Sequence, residues 1–388
     1  MIFRIIIHQK GGLGYSMQRY ASLLKATLEQ QAYEVALLGP RLYLSKSYNT
    51  KGVYKWLRYI DIYILFGIAL WCKTTFTKEK VFYIVLDQAL GLYVPFVKNK
   101  PHVIHCHDFI ALKSTLGRYA KNQVGKTGKL YQNLIRKGFS QGKHFISISK
   151  HTQQELHQFL PKAPQTSAQI YNAVDEQFRP GNLATALKIL EREVHTSLAG
   201  GFVLHVGGNT FYKNRVGVLQ VFTAYKEKYG TPLKLVMIGS APTVAMQAAK
   251  AHSGFSDDIY FLTKVTDQVL VNAYQAANVF LFPSLAEGFG YPIIEALACG
   301  CPVITTNTGP MTEVGGELSW YIPTAREFSS EEEWAQQVAE QVKEVIDLSP
   351  DALTQFKHKA KEHVANFRAE TIGPQILNVY NKIGADYA

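Results

Sequence analysis

Short apolar, β-branched runs alternate with longer segments of helical character along the whole chain. The first half carries "IFRIII", "EVALLG", "VFYIVL", "HVIHCH", "HFISIS" and "AQIYNAV"; the second carries "FVLHVGG", "LKLVMIG", "DIYFLT", "NVFLFPS" and "CPVITT". Such continuous apolar runs, separated by helices, are the pattern of parallel strands covered on both faces. Two series of them predict an α/β protein with two doubly wound, Rossmann-like domains. The seam is expected near "DEQFRPGNLATA", where charge, Pro180 and Gly181 break the pattern. From about Thr354 to Tyr380 the chain reads as helical. In open parallel sheets ligands bind where strand ends feed helix N-termini, so two facing sheets predict a cleft between domains.

Composition fits this picture. A length of 388 residues exceeds one ordinary core, and 47% hydrophobic with 12% aromatic content is globular. Charge is uneven: residues 1–180 hold 25 Lys and Arg against 9 Asp and Glu, whereas the remainder holds 16 against 21. The basic first half suits an anionic partner, such as a phospholipid surface, an acidic acceptor or nucleic acid. Cys72, Cys106, Cys299 and Cys301 make no CxxC pair, the usage of a reduced, cytosolic protein. The opening "MIFRIIIHQKGG" reads as a first strand and not a secretory signal.

The densest chemistry lies in "LAEGFGYPIIEALACGCPVI", residues 285–304. Pro292 suits a helix start, and Gly300 with Pro302 its end. Gly288 and Gly290 let the backbone approach a ligand, and free amides at a helix start attract phosphate. Glu287 on the loop and Glu295, expected in the first turn, are two acceptors suited to the paired hydroxyls of a ribose or hexose. In "HVGGNTFYKN", Lys213 follows the first strand of the second half, where a cation reaches a pyrophosphate. Among strand-end residues "HVIHCHDF", His105 and His107 share a face, with His107 nearer the loop. "KGGLGYS" links the first strand to the first helix, and its Gly12 permits close approach to phosphate. No Asp-x-Asp metal motif is present.

Taken together, "SLAEGFGYPIIEALACGCPVITTNTGPMTEVGG" resembles the signature of the retaining, nucleotide-sugar-dependent glycosyltransferases of family 4, with a GT-B fold. "GGLGYSMQRYASLL", "HCHDFIAL", "SISKHTQQEL", "IYNAVDEQFRP" and "LHVGGNTFYKN" agree in order and spacing. The resemblance spans nearly the whole chain and is dense from about residue 168 to 316. It implies an acceptor domain at 1–178, a donor domain at 179–365, and a C-terminal helix, 366–388, packing back on the first domain. Glu295 would hold the donor ribose, Glu287 the sugar hydroxyls, and the amides of Gly288, Phe289, Gly290 and Tyr291 the sugar or phosphate oxygens. Lys213 would neutralise the departing diphosphate, Gly12 would join the donor site, and His107 would orient the sugar or polarise a hydroxyl. Many relatives carry an arginine just after the glycines where this chain has Asn209, which leaves Arg215 either as its substitute or as a solvent-facing cation.

The expected activity is therefore hexosyl transfer from a UDP- or GDP-sugar to a glycan or lipid-linked acceptor, with no metal or other cofactor and no nucleic-acid partner. A nucleotide-sugar epimerase or hydrolase would use the same cleft; a noncatalytic nucleic-acid-binding protein would explain the basic half but lacks a recognition module. One segment stands apart. "KGVYKWLRYIDIYILFGIALWCKTTFTKEK", with Lys51, Lys55 and Arg58 near its start, reads as too short to span a bilayer and as either an interfacial element or a core helix. An interfacial role would put the protein, cytoplasmic otherwise, on the inner face of an anionic membrane.

Overall fold

The computed structural model describes residues 2–9, 15–45, 53–119 and 122–387. The chain forms two compact units, Met1–Ala173 with Ala369–Ala388, and Val174–Arg368.

The first unit is built on β1 (Ile2–Ile6), β2 (Glu34–Leu38), β3 (Val81–Val85), β4 (His102–Cys106), β5 (His144–Ser147) and β6 (Thr166–Gln169). They lie in the order β2-β1-β3-β4-β5-β6, every pairing parallel. All positions of β3, β4 and β5 are buried, which is why they read as unbroken apolar runs. Leu24 and Leu28 of the helix Tyr15–Glu29 and Ile372, Ile376 and Tyr380 of the helix Ala369–Ala385 belong to this core. The Phe3 ring meets those of Phe82 and Tyr380 at 5.2 and 6.0 Å.

The second unit holds β7 (Phe202–Gly207), β8 (Lys234–Gly239), β9 (Ile259–Thr263), β10 (Val279–Phe282), β11 (Val303–Thr306) and β12 (Ser319–Ile322). Their order, β12-β11-β10-β7-β8-β9, is again all parallel and reverses direction between β7 and β10. That reversal is a topological switch point, where loops from neighbouring strands diverge and leave a crevice. The helices Arg215–Tyr229 and Glu331–Ile346 contribute Phe222, Tyr225, Trp334 and Val338 to the core over this sheet. Buried Trp334 keeps its indole N–H satisfied by the Pro323 carbonyl at 2.9 Å.

Two expectations are corrected. The run "AQIYNAV" overshoots β6, which ends at Gln169, and β12 was not anticipated from its sequence. The segment beginning at Val53 is helical for 24 residues, through Val53–Tyr59, a π-helical Ile60–Leu65 and Phe66–Phe76, so by length and composition it is long enough to cross a membrane. Lys51 lies outside the described residues.

Candidate functional site

In the second unit the loops after β7 and β10 flank the switch point, and they carry most of the predicted donor residues. After β7 the backbone makes a short 3₁₀ turn, Phe211–Lys213, and Asn214 adopts a left-handed conformation at φ 49° before the helix Arg215–Tyr229 begins. This sharp turn aims Lys213 towards β10. Its Nζ lies 2.7 Å from Glu287 Oε1 and 4.7 Å from the centroid of Phe282. Glu287 Oε1 is also 2.5 Å from the Ser284 hydroxyl. Leu285 N–H donates to the Tyr212 carbonyl at 2.7 Å, so the two loops are stapled by backbone as well as by charge. Both partners of the ion pair are largely covered, with side-chain exposures of 14% and 10%.

Arg215 does not face solvent: it is 5% exposed. Its Nη1 donates to the Asn209 side-chain oxygen and, at 2.9 Å, to the Ser240 carbonyl, while the Asn209 amide donates to Ala241 O at 2.6 Å. Asn209 thus orients the guanidinium. Arg215 Nε and Nη2 are buried without a hydrogen-bond partner. Burial lowers the guanidinium pKa, yet from a value so high that the group stays cationic. Beneath these cations, His205 donates from Nδ1 to Leu281 O at 2.9 Å. Burial first, then the Arg215 and Lys213 charges, bring its pKa down to about 3 despite that hydrogen bond, so its ring is neutral.

The helix after β10 runs Tyr291–Ala298, with Gly290 as its N-cap at φ 99°. Glu295, the fifth helical residue, therefore sits in the second turn and not the first, because the helix already begins at Tyr291, one residue before Pro292. The carboxylate is buried, 5% exposed, and its Oε2 accepts from the Tyr274 hydroxyl at 3.2 Å. Gly288, Phe289 and Tyr291 lead into the helix, with the Phe289 ring buried against Tyr291 and Phe367 at 5.2 and 6.0 Å.

In the first unit, His107 follows β4. Its Nε2 donates to the Leu86 carbonyl at 2.9 Å, its backbone N–H donates to Gln88 Oε1 at 2.7 Å, and its ring lies edge-on to Tyr20 at 4.8 Å. Since a carbonyl only accepts, Nε2 carries the proton and the neutral ring's Nδ1 is an acceptor. Burial lowers its pKa, an effect that nearby Asp87 and the Leu86 bond only partly offset. His105 is a different case. Fully buried and bonded to the Tyr20 and Tyr380 hydroxyls at 2.5 and 2.7 Å, it is a core residue. Beside His107, Asp87 contacts His8 Nε2 at 2.9 Å and accepts from Ala89 N–H. Burial, the largest single influence, pushes the Asp87 carboxyl up; the His8 bond, His107 and the Ala89 amide together bring it below its ordinary value. Gly12 lies outside the described residues.

Sequence reasoning missed Ser284, Tyr274, His205 and the His8–Asp87 pair. A serine three residues before Glu287 and a lone histidine inside "FVLHVGG" were the available signals. Among the described residues no group of three His, Cys, Asp or Glu side chains is placed to hold a metal ion.

A family model for glycosyl transferases group 1 matches residues 191–363. The chain is 31% identical over 145 residues to a D-inositol 3-phosphate glycosyltransferase of Mycobacteroides abscessus, covering 37% of this chain and 30% of that protein. It is 32% identical over 203 residues to the capsular polysaccharide biosynthesis glycosyltransferase CapM of Staphylococcus aureus, covering 50% and 49%. The matches thus span between about a third and half of these relatives' length. The structure resembles that of Anabaena HepE in complex with UDP and glucose, with TM-score 0.70, 15% identity and coverage of 98% and 100% of the two chains. It also resembles a sucrose-phosphate synthase from Thermosynechococcus elongatus, with TM-score 0.72, 17% identity and full coverage of both. These likenesses show the fold, which is GT-B.

Proposed function

We propose that the protein is a glycosyltransferase of the retaining, family 4 type, moving a hexosyl unit from a UDP- or GDP-sugar to a glycan or lipid-linked acceptor without a metal. The observation that carries this reading is Arg215: a buried guanidinium with two unpartnered N–H-bearing nitrogens, positioned by Asn209 at the switch point beside Lys213. Buried donors without partners are costly, and an anion with several oxygens would satisfy them. The relatives named as glycosyltransferases and the UDP-bound HepE structure support a nucleoside diphosphate as that anion.

In the reaction the bond between the anomeric carbon and the diphosphate oxygen breaks while the acceptor hydroxyl bonds to that carbon and loses its proton. Negative charge accumulates on the departing diphosphate. Lys213 and Arg215 neutralise it, the role a divalent cation plays elsewhere. The amides leading into the helix at Gly288, Phe289, Gly290 and Tyr291 add the positive end of a helix dipole. Glu287, steadied by Lys213 and Ser284, accepts from sugar hydroxyls, and Glu295 accepts from the ribose. His107, with its proton fixed on Nε2, offers Nδ1 to a hydroxyl. The four cysteines are free thiols, which fits a cytoplasmic setting.

Thermal-shift measurements with UDP, GDP and ADP, then with their sugars, test the reading. One nucleoside diphosphate should raise the melting temperature, since a ligand of the native state stabilises it. Transfer with the matching sugar should survive EDTA and yield the donor's anomeric configuration in the product, read by NMR. No response to any nucleotide would overturn the proposal; activity lost to EDTA and restored by manganese would overturn its metal independence.

A further inference from the structure

The helical run Val53–Phe76 is apolar on its outer side as well as on the inner side that buries Leu70. An ordinary surface helix buries its apolar stripe and presents its charges to water. Here Val53, Trp56, Ile64, Ile68 and Trp71 recur at three- and four-residue spacing, apart from one longer step, and all are exposed, Trp56 by 66% and Ile68 by 54%. The segment's single acid, Asp61, is fully buried instead, its carboxylate accepting from the backbone N–H groups of Leu44 and Ser45 at 2.9–3.1 Å. The inner side is further held by the Tyr93 hydroxyl on Ile62 O at 2.7 Å and by the edge-on packing of Phe66 against Tyr93 at 5.0 Å.

The patch continues onto a second helix. The Tyr63 and Tyr131 hydroxyls lie 2.7 Å apart, and the helix Lys126–Phe139 exposes Leu130 and Leu134. Charge around the patch has one sign. The helix Lys126–Phe139 contains four Lys and Arg and no acid, and the run Val53–Phe76 contains three against Asp61 alone.

We infer that this face docks on an anionic bilayer, with the Val53–Phe76 helix lying in the plane of the interface. Tryptophans towards both ends suit the headgroup level, apolar side chains between them suit the acyl boundary, and the surrounding cations match anionic lipid. The helix lies flat and does not cross. Crossing would carry Arg58 and Asp61 into hydrocarbon and detach Asp61 from the two backbone donors it now satisfies.

Vesicle flotation of the full chain tests this without any sugar transfer. Vesicles containing phosphatidylglycerol should bind at least about tenfold more protein than phosphatidylcholine vesicles at low salt, and salt should weaken that binding. Ile64→Glu with Ile68→Glu, at exposed positions, should reduce binding at least about tenfold, and Lys55→Glu with Arg58→Glu should reduce binding to phosphatidylglycerol selectively. Tryptophan emission should shift to the blue on binding and be quenched most by lipids brominated near the headgroup. Each set of variants should melt like the parent and keep its response to nucleoside diphosphate. Absence of binding to phosphatidylglycerol vesicles, unchanged binding by both sets of variants, or strongest quenching by bromine at the chain ends would each overturn the inference. A parent that binds vesicles but ignores nucleotides would support this inference while removing the proposed catalytic one.

Discussion

Burying a guanidinium with only one nitrogen hydrogen-bonded is unfavourable to folding, by about 1–3 kcal/mol for each unsatisfied donor. Arg215 keeps two such nitrogens. Arg215→Met should therefore melt at or above the parent temperature without ligand, yet lose the rise that a nucleoside diphosphate produces. A full rise retained by the variant would show that the anion sits elsewhere. Lys213 and Glu287 present the opposite balance, because removing either leaves the other covered and without its ion partner. Lys213→Met should lower turnover by about 10²–10³-fold and also lower stability. A double-mutant cycle with Glu287→Gln should return a coupling of about 0.5–3 kcal/mol in urea unfolding. Strict additivity would mean that the 2.7 Å pair is incidental to stability. The pairing of these residues was not legible in the sequence. They are 74 positions apart, and only the parallel register of β7 with β10 brings their loops together. Nor was the burial of Arg215 legible, since a cation at a turn ordinarily points to water.

At the scale of elements, the turn into the helix Tyr291–Ala298 depends on Gly290, whose φ of 99° is one that side-chain-bearing residues rarely adopt. Gly290→Ala should cost about 1–3 kcal/mol in chemical denaturation and weaken nucleotide binding, because the amides that follow would be redirected. If stability falls while nucleotide binding is unchanged, those amides do not contact the ligand. The strands of both units were legible because burial on both faces writes continuous apolar runs, as in "VFYIVL" and "NVFLFPS". Of the four edge strands, β2 and β9 were legible as "EVALLG" and "DIYFLT", whereas β12 and the end of β6 were not. β12 is the last strand of its sheet, with Trp320 and Tyr321 only partly buried, and its four residues "SWYI" make a short run set between the polar "GGE" and Pro323. β6, at the edge of the other sheet, is half-buried throughout, so the stronger apolar residues after it, Ile170 and Val174, drew the expectation past its end. The exposed apolar side of Val53–Phe76 was also hidden, because composition does not say which side of a helix faces the protein.

For the molecule as a whole, buried histidines set a pH dependence. Burial holds His105 well below the ordinary imidazole value, brings His102 down to about 4 and lowers His107, while His205 in the other unit falls to about 3. In the unfolded chain these rings titrate near about 6.5. Below that pH the unfolded state binds protons that the folded state refuses, so stability falls as pH falls; above about pH 7 both states are neutral and the effect vanishes. Melting temperature should be flat from pH 7 to 8 and decline from about pH 6.5 towards pH 4. A melting temperature that held steady or rose on acidification would show that these rings are not kept neutral.

The two-part composition of the first unit bears on how the protein is made. Its sheet is encoded before residue 174, but Ile372, Ile376, Tyr380 and Ile383, which complete its core, are encoded after the whole of the second unit. During synthesis at about 5–20 residues per second, the second unit can close on itself as soon as it leaves the ribosome. The first must wait some tens of seconds for its last helix, with the apolar bed beneath Tyr380 uncovered meanwhile. Slow translation of residues 174–368 would lengthen that interval, and the nascent first unit is where a chaperone would be needed.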